Sequence, residues 1–148
     1  MVDPTRAICT VTAVLALALA SSPVAYAQRD GEDKKPSLSL KANPPVGFSP
    51  LRVRLVVELK NGANDYQDYY CPGVQWDWGD GTVSENSEDC DPYQAGKSEI
   101  KRRYSVEHVF RQAQTYQVFF RLKQRERVIA AISANVEVRP GVRDDLGE

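Results

Sequence analysis

The sequence predicts an all-β fold, an antiparallel sandwich of two sheets, on three observations. Apolar and polar residues alternate with period two in one segment after another. Clusters of Gly, Pro, Asn and Asp separate those segments, and no stretch beyond residue 27 sustains a helical period with capping residues. Short strands with no helices between them leave each sheet one apolar face to bury, and a second sheet is the economical cover.

The elements follow in chain order. Residues 1–27 read as a secretory signal: Arg6 precedes an apolar run from Ala13 to Ala20, and Ala25-Tyr26-Ala27 supplies small residues for cleavage before Gln28. A retained anchor is the alternative, although the run is shorter than the roughly 20 apolar residues a membrane span needs. Residues 28–37 are polar and should form a flexible leader, 38–139 the folded domain, and 140–148 a flexible acidic tail. The remaining chain, about 120 residues, suits one domain. Net charge is −1, and losing Asp3 and Arg6 together leaves it unchanged, so no overall field favours nucleic acid or an anionic membrane.

Leu38 and Leu40 begin an edge strand that Asn43-Pro44-Pro45 stops. Val53, Leu55, Val57 and Leu59 share one face of the next strand, which Asn61-Gly62 ends. A loop rich in Tyr and Asp leads into Val74, Trp76 and Trp78, all of one parity, and Gly79-Asp80-Gly81 reverses the chain with residues that tolerate positive φ. A short return strand and a second acidic loop follow. Glu99 to Phe110 reads as one long run, with Tyr104, Val106, His108 and Phe110 of one parity. Tyr116, Val118, Phe120 and Leu122 face inward from the next strand. Val128, Ala130, Ile132, Ala134, Val136 and Val138 face inward from the last, which Pro140-Gly141 stops.

Discarding Cys9 with the signal leaves Cys71 and Cys90 on either side of the Trp76 motif. In an oxidising compartment such a pair is most simply a disulfide, two free thiols or a metal pair being the alternatives. One His and two Cys at this spacing do not make a zinc pattern.

Trp76-Asp77-Trp78-Gly79-Asp80-Gly81-Thr82, then His108-Val109-Phe110, then Tyr116-Gln117-Val118, together resemble the PKD domain family, whose hallmark is W-D-F-G-D-G followed by H-x-Y and G-x-Y-x-V. Pro44 to Leu55 resembles the family's opening, and the likeness runs from Leu38 to Val138. It implies an immunoglobulin-like sandwich of about seven strands. Trp78 and Phe110 stand where the family has Phe and Tyr, and Gln114 where it generally has a turn Gly.

Candidate chemistry divides by residue type. Asp77 and Asp80 could be paired carboxylates of a glycosidase, but a turn cap and a solvent-side strand residue explain them better. His108 lacks a nucleophile turn to pair with and reads as a structural hydrogen-bond donor. Asp65, Asp68, Glu85, Glu88, Asp89 and Asp91 lie on loops that a disulfide would gather, which raises calcium, yet no D-x-D-x-D-G spacing is present. Tyr66, Tyr69, Tyr70 and Tyr93 crowd the same loops and are the candidate binding residues, with packing over the disulfide as the plain alternative. Arg52, Arg54, Lys101, Arg103, Arg121 and Lys123 read as solvated outer-face residues that guard sheet edges.

The expectation is therefore a secreted or periplasmic, monomeric, non-enzymatic module without a cofactor. Its partner is a protein or a glycan of the cell envelope or exterior; nucleic acid and, after cleavage, membrane are not expected.

Overall fold

The computed structural model describes residues 34–141. The proposed signal, most of the leader and all but the first two residues of the tail lie outside the described residues. Among those described, eight strands form two sheets. Strands β1 (Ser37–Asn43), β3 (Leu51–Lys60) and β6 (Arg103–Phe110) make the smaller sheet, in the order β1-β3-β6. The larger sheet runs β2-β8-β7-β4-β5, from β2 (Val46–Phe48), β4 (Gly73–Asp77), β5 (Val83–Asn86), β7 (Gln114–Gln124) and β8 (Arg127–Arg139).

Eight strands rather than seven arise because Pro44-Pro45 breaks the opening segment and passes the chain to the opposite sheet. There β2 pairs with β8, and this pairing is parallel, so the sandwich is antiparallel everywhere else but not at this edge. The core is the interleaved set that alternation marked: Val53, Leu55 and Val57 from β3 against Val118, Phe120 and Leu122 from β7, all fully buried. Tyr116 donates its hydroxyl to the Gln112 carbonyl at 2.8 Å, a tyrosine corner that fixes the turn into β7. Gln114 needs no left-handed backbone there, because it already lies in the strand.

Three expectations need correction. A bulge sets Leu122 opposite Ala130 but Lys123 opposite Val128, so Ile129 is the extra residue. One extra residue inverts parity: Ile129 packs on the core, and Val128, expected inward, is 48% exposed. The freed Ile129 carbonyl accepts from Lys35 Nζ at 3.1 Å. The leader is thus not flexible up to residue 37. Pro36 is buried, β1 starts at Ser37, and Ala63 N–H donates to the Lys34 carbonyl at 3.0 Å.

The run Glu99 to Phe110 is also not all strand. Arg102 instead turns its guanidinium onto the Leu59, Asn61 and Gly62 carbonyls and the Asn64 side chain. One side chain satisfies the end of β3 and the turn after it, which sequence periodicity did not suggest.

Candidate functional site

The motif around Trp76 serves shape. Trp76 and Trp78 lie stacked at 5.7 Å, and Trp78 stacks on His108 at 4.1 Å, joining the two sheets through three rings. Trp78 Nε1 donates to Ser84 Oγ at 3.0 Å, so the buried indole keeps no idle donor. Gly79 has φ +71° and sits so close to β7 that a Cβ would lie 2.7 Å from the Gln117 carbonyl oxygen. Asp77 accepts from the Gly79 amide and pairs with Arg121; Asp80 accepts from the Thr82 amide at 2.9 Å and meets His108 Nε2 at 2.8 Å.

His108 and Asp80 form a pair. Among the described residues no serine, threonine or cysteine bonds to His108. Burial acts to raise the Asp80 carboxyl, but hydrogen bonds from Thr82 and His108 outweigh it and hold it below its ordinary value. A depressed folded value means stability that is present above the ordinary carboxylate range, about 3.9, and lost as pH falls through the folded value. Thermal melts taken from neutral pH downward should therefore fall more steeply below about pH 4 for the wild type than for Asp80→Asn, which keeps the turn acceptor but not the charge. Parallel curves would rule out this contribution.

The disulfide is present: Cys71 and Cys90 are bonded, with Cα atoms 6.2 Å apart. It ties the loop after β3 to the loop after β5, and it does so with Cys71 at φ +48°. The four candidate tyrosines then separate. Tyr69 is fully buried, a member of the core rather than the surface, with Tyr66 against it edge-on at 5.1 Å. Burial first, then Tyr66 and Asp68, pushes its hydroxyl up to about 12. Loop residues carry no periodicity, so nothing in the sequence marked Tyr69 as the buried one.

Tyr70 and Tyr93 remain at the surface and meet edge-on at 5.6 Å. Their hydroxyls donate across the loops, Tyr70 to the Asp91 carbonyl at 2.9 Å and Tyr93 to the Asp65 carbonyl at 2.7 Å. Together with Asp68 they form one wall of a cleft of about 580 Å³, whose other wall is the β7–β8 turn from Gln124 to Arg127. Gln124 locks the walls together by donating to the Tyr70 carbonyl at 2.9 Å. The Arg125 and Arg127 side chains are exposed and have no hydrogen-bond or ion-pair partner among the described residues. Sequence reasoning passed over both; the Gln124-Arg125-Glu126-Arg127 turn was a visible signal, but its closeness to Tyr70 was not.

The acidic loops do not converge. Among the described residues no three His, Cys, Asp or Glu side chains come together as a metal site would require. Asp65 takes the Gly96 amide, Glu85 takes Gln75 and Lys123, and Glu88 takes Lys101. Hydrogen bonding from Gln75, then Lys123, holds the Glu85 carboxyl below its ordinary value. The outer-face cations are likewise engaged: Arg52 and Arg54 with Glu107, Arg103 with Glu58. Such exposed pairs contribute little to stability, though they keep charge along the edges.

No family model matches the chain. No curated protein matches it either. Among solved structures it is similar to the PKD domain of an M14-like peptidase from a Thermoplasmatales archaeon, at 12% identity over 72% of this chain and 98% of that chain, with a TM-score of 0.48. It is also similar to the CARDB domain of a Pyrococcus furiosus protein, in solution (13% identity, 73% of this chain and 97% of that chain, TM-score 0.47). The same domain in a crystal, in complex with di-metal ions, gives 13%, 72%, 96% and 0.45. The chain's own two sheets and tyrosine corner define it as an immunoglobulin-like β-sandwich, the fold that the PKD resemblance implied.

Proposed function

We propose that the chain acts outside the cytoplasm as a binding module that holds a protein partner on its disulfide-tied rim. One observation carries the reading: the Tyr70–Tyr93 cleft, with Arg125 and Arg127 on its far wall, whose guanidinium groups have no partner among the described residues. Tyr and Arg are the residue types that dominate protein interfaces, because each offers large contact area together with directional hydrogen bonding. Asp68 and Glu126 offset the two cations, which suits a mixed polar protein surface better than a strongly anionic ligand. The tyrosine rings cross at 62° and so offer no flat platform for a sugar ring. The disulfide and the signal-like amino terminus support an oxidising compartment, periplasmic or exterior. In this role the module binds and does not catalyse.

The test is affinity capture from envelope extracts with the exported chain. Arg125→Glu with Arg127→Glu leaves the core untouched and is expected to weaken the captured partner about tenfold or more, as interface arginines do; Tyr70→Phe with Tyr93→Phe serves as the milder companion. Unchanged capture by the double charge reversal sinks the rim as the contact. Retention on insoluble polysaccharide in place of protein capture would select the glycan alternative.

A further inference from the structure

The two sheets are unequal, and the mismatch leaves a slot. β1 packs on β8, and β6 lies over β4 and β7 through the Trp78–His108 and Tyr104–Phe120 contacts. The smaller sheet ends at β6, so among the described residues no strand lies opposite β5. Ser84 and Asn86 stand in register with Trp76 and Val74 and thus on the inner face, yet both are exposed. An inward-facing residue is exposed only where the second layer is missing.

The edge of β6 beneath this ledge is open in its backbone as well. Leu59 N–H donates to the Arg102 carbonyl, and hydrogen-bonded pairs recur every second residue in an antiparallel ladder. Tyr104 and Val106 therefore turn their peptide groups toward β3, while Arg103, Ser105 and Glu107 turn theirs to the open side. Between β5 and β6 lies a groove of about 340 Å³. Lys101 and Glu88, 2.6 Å apart, both line it. Tyr104 lines the groove at 7% exposure, and its buried hydroxyl has no partner. A buried, unpaired hydroxyl costs on the order of 1–3 kcal/mol, so a ligand that supplies the partner gains by it.

We propose that this slot takes one extended strand of a partner protein, added antiparallel to β6 with its backbone bonded to Arg103, Ser105 and Glu107. Its side chains follow from the walls. On the outer face an acidic residue would join Glu58 beside Arg103, and a basic one, four positions away, would join Arg52 and Arg54 beside Glu107; between them a serine, threonine or asparagine would turn inward to the Tyr104 hydroxyl. A second copy of this chain does not fit, because its own β4 and β5 would occupy the layer that β5 already fills. The slot is separate from the rim cleft, so each can fail alone.

The folded, disulfide-bonded exported chain is panned against displayed random peptides, and the enriched peptide is followed by amide hydrogen exchange. Slowed exchange at Ser105 and Glu107 is expected. Ser105→Pro removes an outward N–H without touching the β3 ladder and should weaken binding about tenfold or more. Tyr104→Phe should weaken it several-fold while the free chain melts no lower, which keeps the proposal testable if the proline variant does not fold. The Arg125→Glu, Arg127→Glu chain should bind the peptide as wild type does. No enrichment, protection confined to the rim, full binding by Tyr104→Phe, or dimers joined at β6 would each overturn the assignment.

Discussion

Replacing Trp78 with alanine is expected to cost about 4 kcal/mol, the range for deleting a fully buried aromatic. The side chain is 2% exposed and is the middle ring of the Trp76–Trp78–His108 stack, so its loss opens a cavity between the sheets. It also removes the Trp78–Ser84 hydrogen bond and the surface on which His108 rests while holding Asp80. Against a net stability of about 5–15 kcal/mol for a domain, this is a large fraction, and at the lower end of that range it leaves the variant marginal at room temperature. Urea unfolding checks this through a large fall in midpoint with little change in slope. Trp78→Phe, which keeps a ring, should lose less than half as much. An unfolding free energy within about 1 kcal/mol of wild type for Trp78→Ala would mean that the stack carries no weight.

Removing the Cys71–Cys90 bond by the double serine variant is expected to cost on the order of 3 kcal/mol, from the loop of sequence separation 19 that it closes. The loss should be uneven. Core strands β3 and β7 do not touch the bridge, whereas Cys71 is held at positive φ beside Tyr70, and the Tyr70–Asp91 bond depends on both loops staying together. Native-state hydrogen exchange should therefore quicken first in residues 61–72 and 87–102, with β3 and β7 retaining protection. The rim cleft, and with it the proposed binding, would be lost before the fold. Equal melting temperatures for the bridged and serine chains would show that the loops order themselves without it.

Much of this molecule is written locally. Alternation in β3 and β7 named Val53, Leu55, Val57, Val118, Phe120 and Leu122 as core, because a strand's side-chain period is a property of the backbone and needs no partner. Gly79 and Gly81 declared the turn through their tolerance of positive φ, and an even cysteine pair declared the bridge.

The misread positions depend on neighbours far along the chain. Val128 faces out because a bulge shifts β8 against β7, and register belongs to a pair of strands, not to either one. Tyr69 is interior while Tyr70 is not, since loop burial depends on what folds over it. Arg125 and Arg127 reach the cleft only because Gln124 is bonded to a carbonyl 54 residues away. The amino-acid sequence by itself determined which residues alternate, where the chain turns and which two sulfurs pair. Tertiary structure alone decided which tyrosines stay at the surface, which cations share their cleft, and that the smaller sheet leaves β5 uncovered, because these depend on contacts between segments that have no shared pattern to read.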